Sequence, residues 1–277
     1  MRQFGRWGAI ALLVLPFAAC TGDDSDPTPE ERPSTAETAR ERDKPLRAPD
    51  AEACHRLDYA DALRPTVDDT AVKCTKPHTA RTIDVSRLDT TVRGHFLAVD
   101  SARVRRQPGP ACASAFADHV GGTEDQRRLS MLTVVAFSPT VEQADLGAAW
   151  IRCDLVAVVA PEQLGNLPGP LKGTLDTPAG RDRFGMCGTT KPGSDNFQRV
   201  ACSRDHAWRA VETVEIPAGA KGRWPGKRAA RAAGQEPCAE AARGSATDAL
   251  SYEWGYEWPD KEKWQAGRTY GFCWAPD

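Results

Sequence analysis

The apolar positions of this chain come in short runs divided by glycine, proline and charge. Residues 129–137 carry Leu129, Met131, Leu132, Val134, Val135 and Phe137, and residues 148–159 are largely aliphatic. Runs of this length, rich in β-branched residues, predict buried strands. Residues 71–74 and 79–85 predict a strand pair ahead of them, and residues 139–145 a turn or short helix. Between these pieces, the small and apolar residues 112–120 end at Gly121-Gly122 and predict a helix. The order recurs further on: strands at 199–202 and 208–216, a helix at 237–242, then strands at 250–258 and 270–273. Strands interrupted by one helix predict an α+β fold with antiparallel sheets. The Pro/Gly-rich residues 161–180 are the expected junction, so the folded part divides into residues 53–176 and 177–277.

The first apolar run is of another kind. Residues 9–17 follow a start whose only charges are Arg2 and Arg6, and uncharged residues extend from Trp7 to Gly22. That stretch is too short and too mixed for a spanning helix of about 20 apolar residues, and residues 1–19 read as a signal peptide. Phe17-Ala18-Ala19-Cys20 sets two small residues before a cysteine. The pattern resembles the lipobox of bacterial lipoproteins, with Phe17 where an aliphatic residue is usual. Cys20 is therefore the expected lipidated N-terminus, and two acyl chains suffice for stable anchoring. The expected place is the outer face of the cell membrane. Ordinary secretion would instead leave Cys20 as a spare thiol.

Charge sharpens this picture. The 36 basic and 38 acidic residues give a net −2, which argues against a nucleic-acid partner. Residues 21–52 hold ten acids and five bases, several prolines, one leucine and no aromatic residue. Such a composition cannot bury enough surface to order itself, so residues 20–52 are expected to be a lipidated cysteine and a disordered tether. Residues 53–277 are left near neutral, and the chain is 40% hydrophobic, enough for real cores there.

Eight further cysteines form two sets: Cys54, Cys74, Cys112 and Cys153, then Cys187, Cys202, Cys238 and Cys273. Their neighbours repeat. Val72-Lys73-Cys74-Thr75-Lys76-Pro77-His78 matches Val200-Ala201-Cys202-Ser203-Arg204-Asp205-His206, and Pro139, Gly147 and Cys153 fall 120 positions before Pro259, Gly267 and Cys273. Two tandem, related modules follow from this. An even cysteine count in an exported chain implies disulfides, two per module. Three pairings are open to each set. The spacing favours first with second and third with fourth, because Cys112 opens the helix and Cys153 ends an apolar segment that must pack on something.

Paired Cys-x-x-Pro-His-like segments, a Cys-Ala-rich helix, then Pro259, Trp264, Gly267, Arg268 and Cys273 resemble the actinobacterial septum-formation domain family. The first module departs from that pattern, with Ala144 in place of the tryptophan and Ala148 in place of the arginine. The resemblance spans about residues 53–277 and implies an envelope location and a link to septum assembly. It implies no particular reaction.

Catalytic chemistry finds little support. His78 and His206 each lie four residues after a cysteine, a spacing that fits half a zinc site or a thiol beside its base, but both need free thiolates. The expectation is no metal, no cofactor and no catalysis, with the paired histidines as a candidate ligand edge. No Gly-x-Ser-x-Gly, His-Glu-x-x-His or Walker A pattern occurs. Carboxylate pairs such as Asp68-Asp69 read as solvated surface. Two features suit binding. Basic loops precede each helix: Arg103, Arg105 and Arg106, then Lys221, Arg223, Lys227, Arg228 and Arg231. Tyr252, Trp254, Tyr256 and Trp258 alternate at period two, which would put four rings on one strand face, either as core or as an exposed platform. Trp264 and Arg268 join the candidate ligand residues. The reading is a non-catalytic binding or scaffold protein of the envelope, with anionic polymers or division proteins as partners. Its rival is an envelope enzyme acting on wall material.

Overall fold

The computed structural model describes residues 46–277. The signal-peptide and lipidation expectations, Cys20 included, and nearly all of the tether lie outside the described residues. Two antiparallel five-stranded sheets carry the fold. The first half runs β1 (Cys54–His55), α1 (Tyr59–Ala62), β2 (Ala80–Arg87), the hairpin β3 (Thr91–Val92) and β4 (His95–Phe96), α2 (Pro108–Val120), α3 (Glu124–Arg128), β5 (Leu132–Phe137), α4 (Val141–Asp145), β6 (Trp150–Ala160) and β7 (Gln163–Leu164). The second runs α5 (Pro178–Phe184), β8 (Met186–Gly188), β9 (Arg199–Ala201), β10 (Trp208–Glu215), α6 (Lys227–Ala233), α7 (Gln235–Ser245), β11 (Gly255–Glu257), α8 (Lys261–Gln265) and β12 (Tyr270–Pro276).

The strand orders correspond. One sheet is β1-β2-β6-β5, with β7 beside β6, and the other is β9-β8-β10-β12-β11. The place that β9 takes against Cys187 is held in the first sheet by a single bridge, Cys54 to Val72. Residues 71–74 are thus no strand, and β2 pairs with Cys54–His55 instead. A register shift interrupts each central pairing at the matching position, between Thr82 and Asp84 and between Ala210 and Glu212.

Four disulfides close the two halves: Cys54–Cys74, Cys112–Cys153, Cys187–Cys202 and Cys238–Cys273. The second and fourth clamp a helix onto the central strand, α2 onto β6 and α7 onto β12. Alternation along β6 then assigns its faces. Ile151 and Cys153 pack with Val104 and Cys112 under α2, and Leu155 with Val120 at the helix end, while Trp150 and Val156 pack with Leu57 and Phe137 on the other face.

That second face also carries charge. Arg152 and Asp154 point into it, and Asp154 is fully buried. Arg152 donates to Asp154 through Nε (3.0 Å) and Nη2 (2.8 Å) and to Asp69 through Nη1 (2.9 Å). Asp69 meets His55 Nδ1 at 2.5 Å, His55 Nε2 meets the Thr82 hydroxyl at 3.0 Å, and Thr82 donates to Asp154 at 2.8 Å. The ring closes on itself, so each buried polar group has a partner, as burial requires. The second sheet fills the corresponding positions with Gly188, Ala210, Phe272 and Trp274. Trp274 is wholly buried, and a Cβ on Gly188 would come within 2.5 Å of the Phe197 ring and 3.3 Å of Trp274.

Residues 161–180 connect the halves as a packed strap. Leu167, Leu171 and Leu175 are buried with Val120 and Leu155, and Leu167 N–H donates to the His78 carbonyl at 2.9 Å. The halves also bond directly: Met131 N–H donates to Phe184 O (2.7 Å), Met186 N–H to Leu129 O (2.8 Å), and Asp125 accepts from Thr213 N–H (3.1 Å). Residues 129–131, expected within a strand, make this joint, and β5 begins at Leu132.

The ring has a pH signature. Burial pushes the Asp69 carboxyl up, but hydrogen bonds from His55 and Arg152 and their charges outweigh it and hold it below its ordinary 3.8. Asp154 lies the other way, raised by burial against the pull of Arg152 and His55. A depressed carboxyl stabilises the fold above its unfolded value and loses that contribution as pH falls through the folded value. Asp69→Asn should therefore cost about 2 kcal/mol near neutral pH. In urea titrations, the variant should lose less stability than the parent as pH falls below about 4.

Candidate functional site

The basic residues of the second half build one surface. After β10, Ile216 N–H bonds Thr269 O at 3.0 Å, and the chain turns at Gly219, whose N–H bonds Arg223 O at 2.8 Å. Within that turn Lys221 adopts a left-handed backbone (φ 59°), and Gly222 follows it (φ 72°). Pro225 keeps Trp224 out of helical geometry, and Gly226 (φ 92°) lets the chain enter α6. Residues 227–231 are therefore a helix in place of the expected loop.

Helix α6 has one buried contact face. Ala230 is fully buried against Ile216 and Trp264, flanked by Trp224, Ala233 and Trp258. The Tyr256 hydroxyl donates to Ala230 O at 3.1 Å, and burial pushes that phenol up to about 12. Lys227, Arg228 and Arg231 are exposed, spaced three and four apart on one stripe. Like charges at this spacing disfavour a helix by a few tenths of a kcal/mol. Among the described residues, none of Lys221, Arg223, Lys227, Arg228 and Arg231 has a carboxylate within ion-pair distance, and residues 217–235 contain no acid.

Beside this stripe lies a cleft of about 860 Å³ between the Gly219–Pro225 turn and α8. Trp224 and Trp264 meet edge to face in its wall, centroids 5.5 Å apart, and Arg223, Lys261 and Gln265 complete it. Trp224 and Lys261 were not among the residues singled out by sequence; the signal was Trp224 embedded in the basic stretch.

The other candidates lie elsewhere. Arg268 pairs with Glu257 at 3.3 Å and stacks on Phe272 (5.2 Å), sharing both partners with Arg199. His78 is buried, its Nδ1 bonded to Lys76 O at 2.8 Å. His206 repeats that turn with Arg204 O at 2.6 Å, and its Nε2 meets Asp277 at 2.9 Å. Burial pushes the Asp277 carboxyl up, but His206 and Arg209 hold it below the usual range. Cys74 and Cys202 are bridged, so neither histidine stands beside a thiolate. Cys187, His206 and Asp277 have ligand atoms within 4.8 Å of one another, yet the Cys187 sulfur is bonded to Cys202. Arg103, Arg105 and Arg106 are exposed in or beside a 3-10 turn of the first half, Val104–Arg106.

Of the two readings of the aromatic run, core and exposed platform, the first holds for Trp254, Tyr256 and Trp258, but the strand expected at 250–258 is shorter. The strand covers only Gly255–Glu257, and Tyr256 is buried with Trp254 and Trp258 packed around it. Tyr252 lies before the strand, because residues 250–254 pair with no neighbour. Trp254, Tyr256 and Trp258 are core, and Tyr252 is half-buried outside it. Asp69, His55 and Thr82 stand in the order of an orienting acid, base and nucleophile, but the Thr82 hydroxyl is fully buried and donates to Asp154. The approach that a nucleophile needs is closed there.

Trp264 joins the cleft to the core, being 7% exposed. Trp264→Ala should cost about 3–5 kcal/mol. It should also speed amide exchange in α6 more than in α2, which hydrogen-exchange mass spectrometry reads. Equal exchange in α6 would show that the basic helix is held by other contacts.

No curated protein and no solved structure matches the chain. The family described as septum formation matches residues 98–273, from just after the first-half hairpin to the last cysteine, and so takes in α2, β6, the start of β12 and the basic cleft. That match covers more than half of the sequence and includes the cysteines of both helix-to-strand bridges: the chain belongs to the septum-formation family.

Proposed function

We propose that this protein is a lipid-anchored component of the outer membrane face, a scaffold that binds anionic envelope polymer without transforming it and serves septum formation. The observation that carries the binding is the exposed, unpaired basic surface of residues 221–231 in a chain whose residues 53–277 are near neutral. Each exposed charge near an anionic surface contributes about 1 kcal/mol, and five act together here. The family match supports the link to the septum. The Phe17-Ala18-Ala19-Cys20 sequence supports the anchor. Residues 53–176 and 177–277 we read as two copies of one module, supported by matching strand orders, register shifts and bridges.

Replacing Lys221, Arg223, Lys227, Arg228 and Arg231 together with Gln should weaken sedimentation with isolated walls by about tenfold or more at low salt. Raising salt well above 0.1 M should mimic this in the parent, since exposed charges are screened beyond about 10 Å there. Equal binding by variant and parent at low salt would reduce the surface to a solvated connection. The anchor has its own check. The intact mass of protein extracted from membranes should correspond to a chain starting at Cys20 and bearing acyl chains. An unmodified mass, or another start, removes the lipoprotein reading.

A further inference from the structure

Charge alone explains the stripe on α6 but not the cleft beside it. Two tryptophan rings, two cations and an amide line a concavity of about 860 Å³. Trp264 is held rigid by burial, while Trp224 is half-buried at the wall. The turn that carries Trp224 stores strain. Lys221 is one of four non-glycine residues with positive φ among the described residues, and such outliers gather at ligand clamps.

We propose that this cleft is a receptor for a saccharide bearing a negative charge, a deepening that rests on the charge reading of the same surface. An indole edge or face packs against the apolar C–H surface of a pyranose ring, and a ring fixed in advance costs little ordering entropy. Arg223 and Lys261 on opposite walls then take a carboxylate or phosphate, and Gln265 takes hydroxyl groups. A flat bilayer does not enter a concavity. A bare polyanion has no use for the tryptophans.

The test uses the full chain and three probes at equal low salt: polygalacturonate, inorganic polyphosphate and neutral dextran. The parent should bind the two anionic polymers and not dextran. Trp224→Ala should weaken polygalacturonate binding about tenfold and change polyphosphate binding less than twofold, while Trp224→Phe, which keeps a flat ring, should recover most of the loss. Unchanged thermal midpoints and far-ultraviolet dichroism of Trp224→Ala and Trp224→Phe guard against a folding defect. If Trp224→Ala weakens both polymers alike, or neither, the saccharide receptor is overturned and the charge reading stands. Tighter binding of an oligonucleotide than of polygalacturonate, lost in Trp224→Ala, would overturn it in favour of base stacking. If the parent binds neither anionic polymer, the charge reading itself falls, and the receptor with it.

Discussion

The helix-to-strand disulfide is the constraint on which each sheet depends. Cys153 and Cys273 sit on the longest pairing of their sheets, and each is the register partner just past the shift in the neighbouring strand, opposite Asp84 and Glu212. Tying that point to Cys112 or Cys238 fixes which face of the central strand lies under the helix. A one-residue slip would turn Arg152 and Asp154 toward α2 and Cys153 away from it. The bridge therefore does more than restrict the unfolded chain. It decides register, and register decides which residues are core.

Once the faces are fixed, the two sheets solve the same problem oppositely. The position that faces away from the helix holds Arg152 and Asp154 in one sheet and Phe272 and Trp274 in the other. Burying two carboxylates and a guanidinium needs good geometry throughout, and the His55–Asp69–Arg152–Asp154–Thr82 ring supplies it. Asp69 reaches the ring from the segment that follows α1, so the ring also fastens that segment over the sheet. The aromatic solution has no charge to pair, but it buries the Trp274 indole N–H without a hydrogen-bond partner. It needs room, which Gly188 and Ala210 leave by having little or no side chain, and it joins Met131 and Met186 in the core between the sheets.

The framework was legible where one residue type has one use. Cysteine spacing carries the four bridges, and aliphatic runs carry β5 and β6. The polar ring was not legible. His55, Asp69, Thr82, Arg152 and Asp154 lie up to 99 positions apart and look like ordinary surface residues until pairing brings them together. Asp68-Asp69 illustrates the difficulty: one is exposed and the other bonds His55 and Arg152. The aromatic alternation at 252–258 misled for the opposite reason. Period two is a property of strands, but residues 250–254 have no strand beside them, and Tyr256 turned inward to cap Ala230. The basic stretch hid a helix because its apolar face is only alanine, which hydrophobic periodicity barely registers.

The cleft belongs to the part of the second half that has no counterpart in the first. Between the register-shifted strand and the clamped helix, residues 88–107 carry the β3–β4 hairpin and a 3-10 turn, whereas residues 217–234 carry the strained turn and α6. The strand orders, register shifts and helix-to-strand bridges around those excursions correspond. One framework substitution makes the difference usable: α4 presents Ala144, packed in the cluster under α2, where α8 presents Trp264. An alanine there cannot reach the excursion. A tryptophan spans to Ala230 and stacks on Trp224, so the loop's cations are held against a rigid sheet rather than left to wander. Function on a variable loop requires this kind of support from the scaffold beneath it. The turn that carries Arg103, Arg105 and Arg106 instead buries the aliphatic Val104.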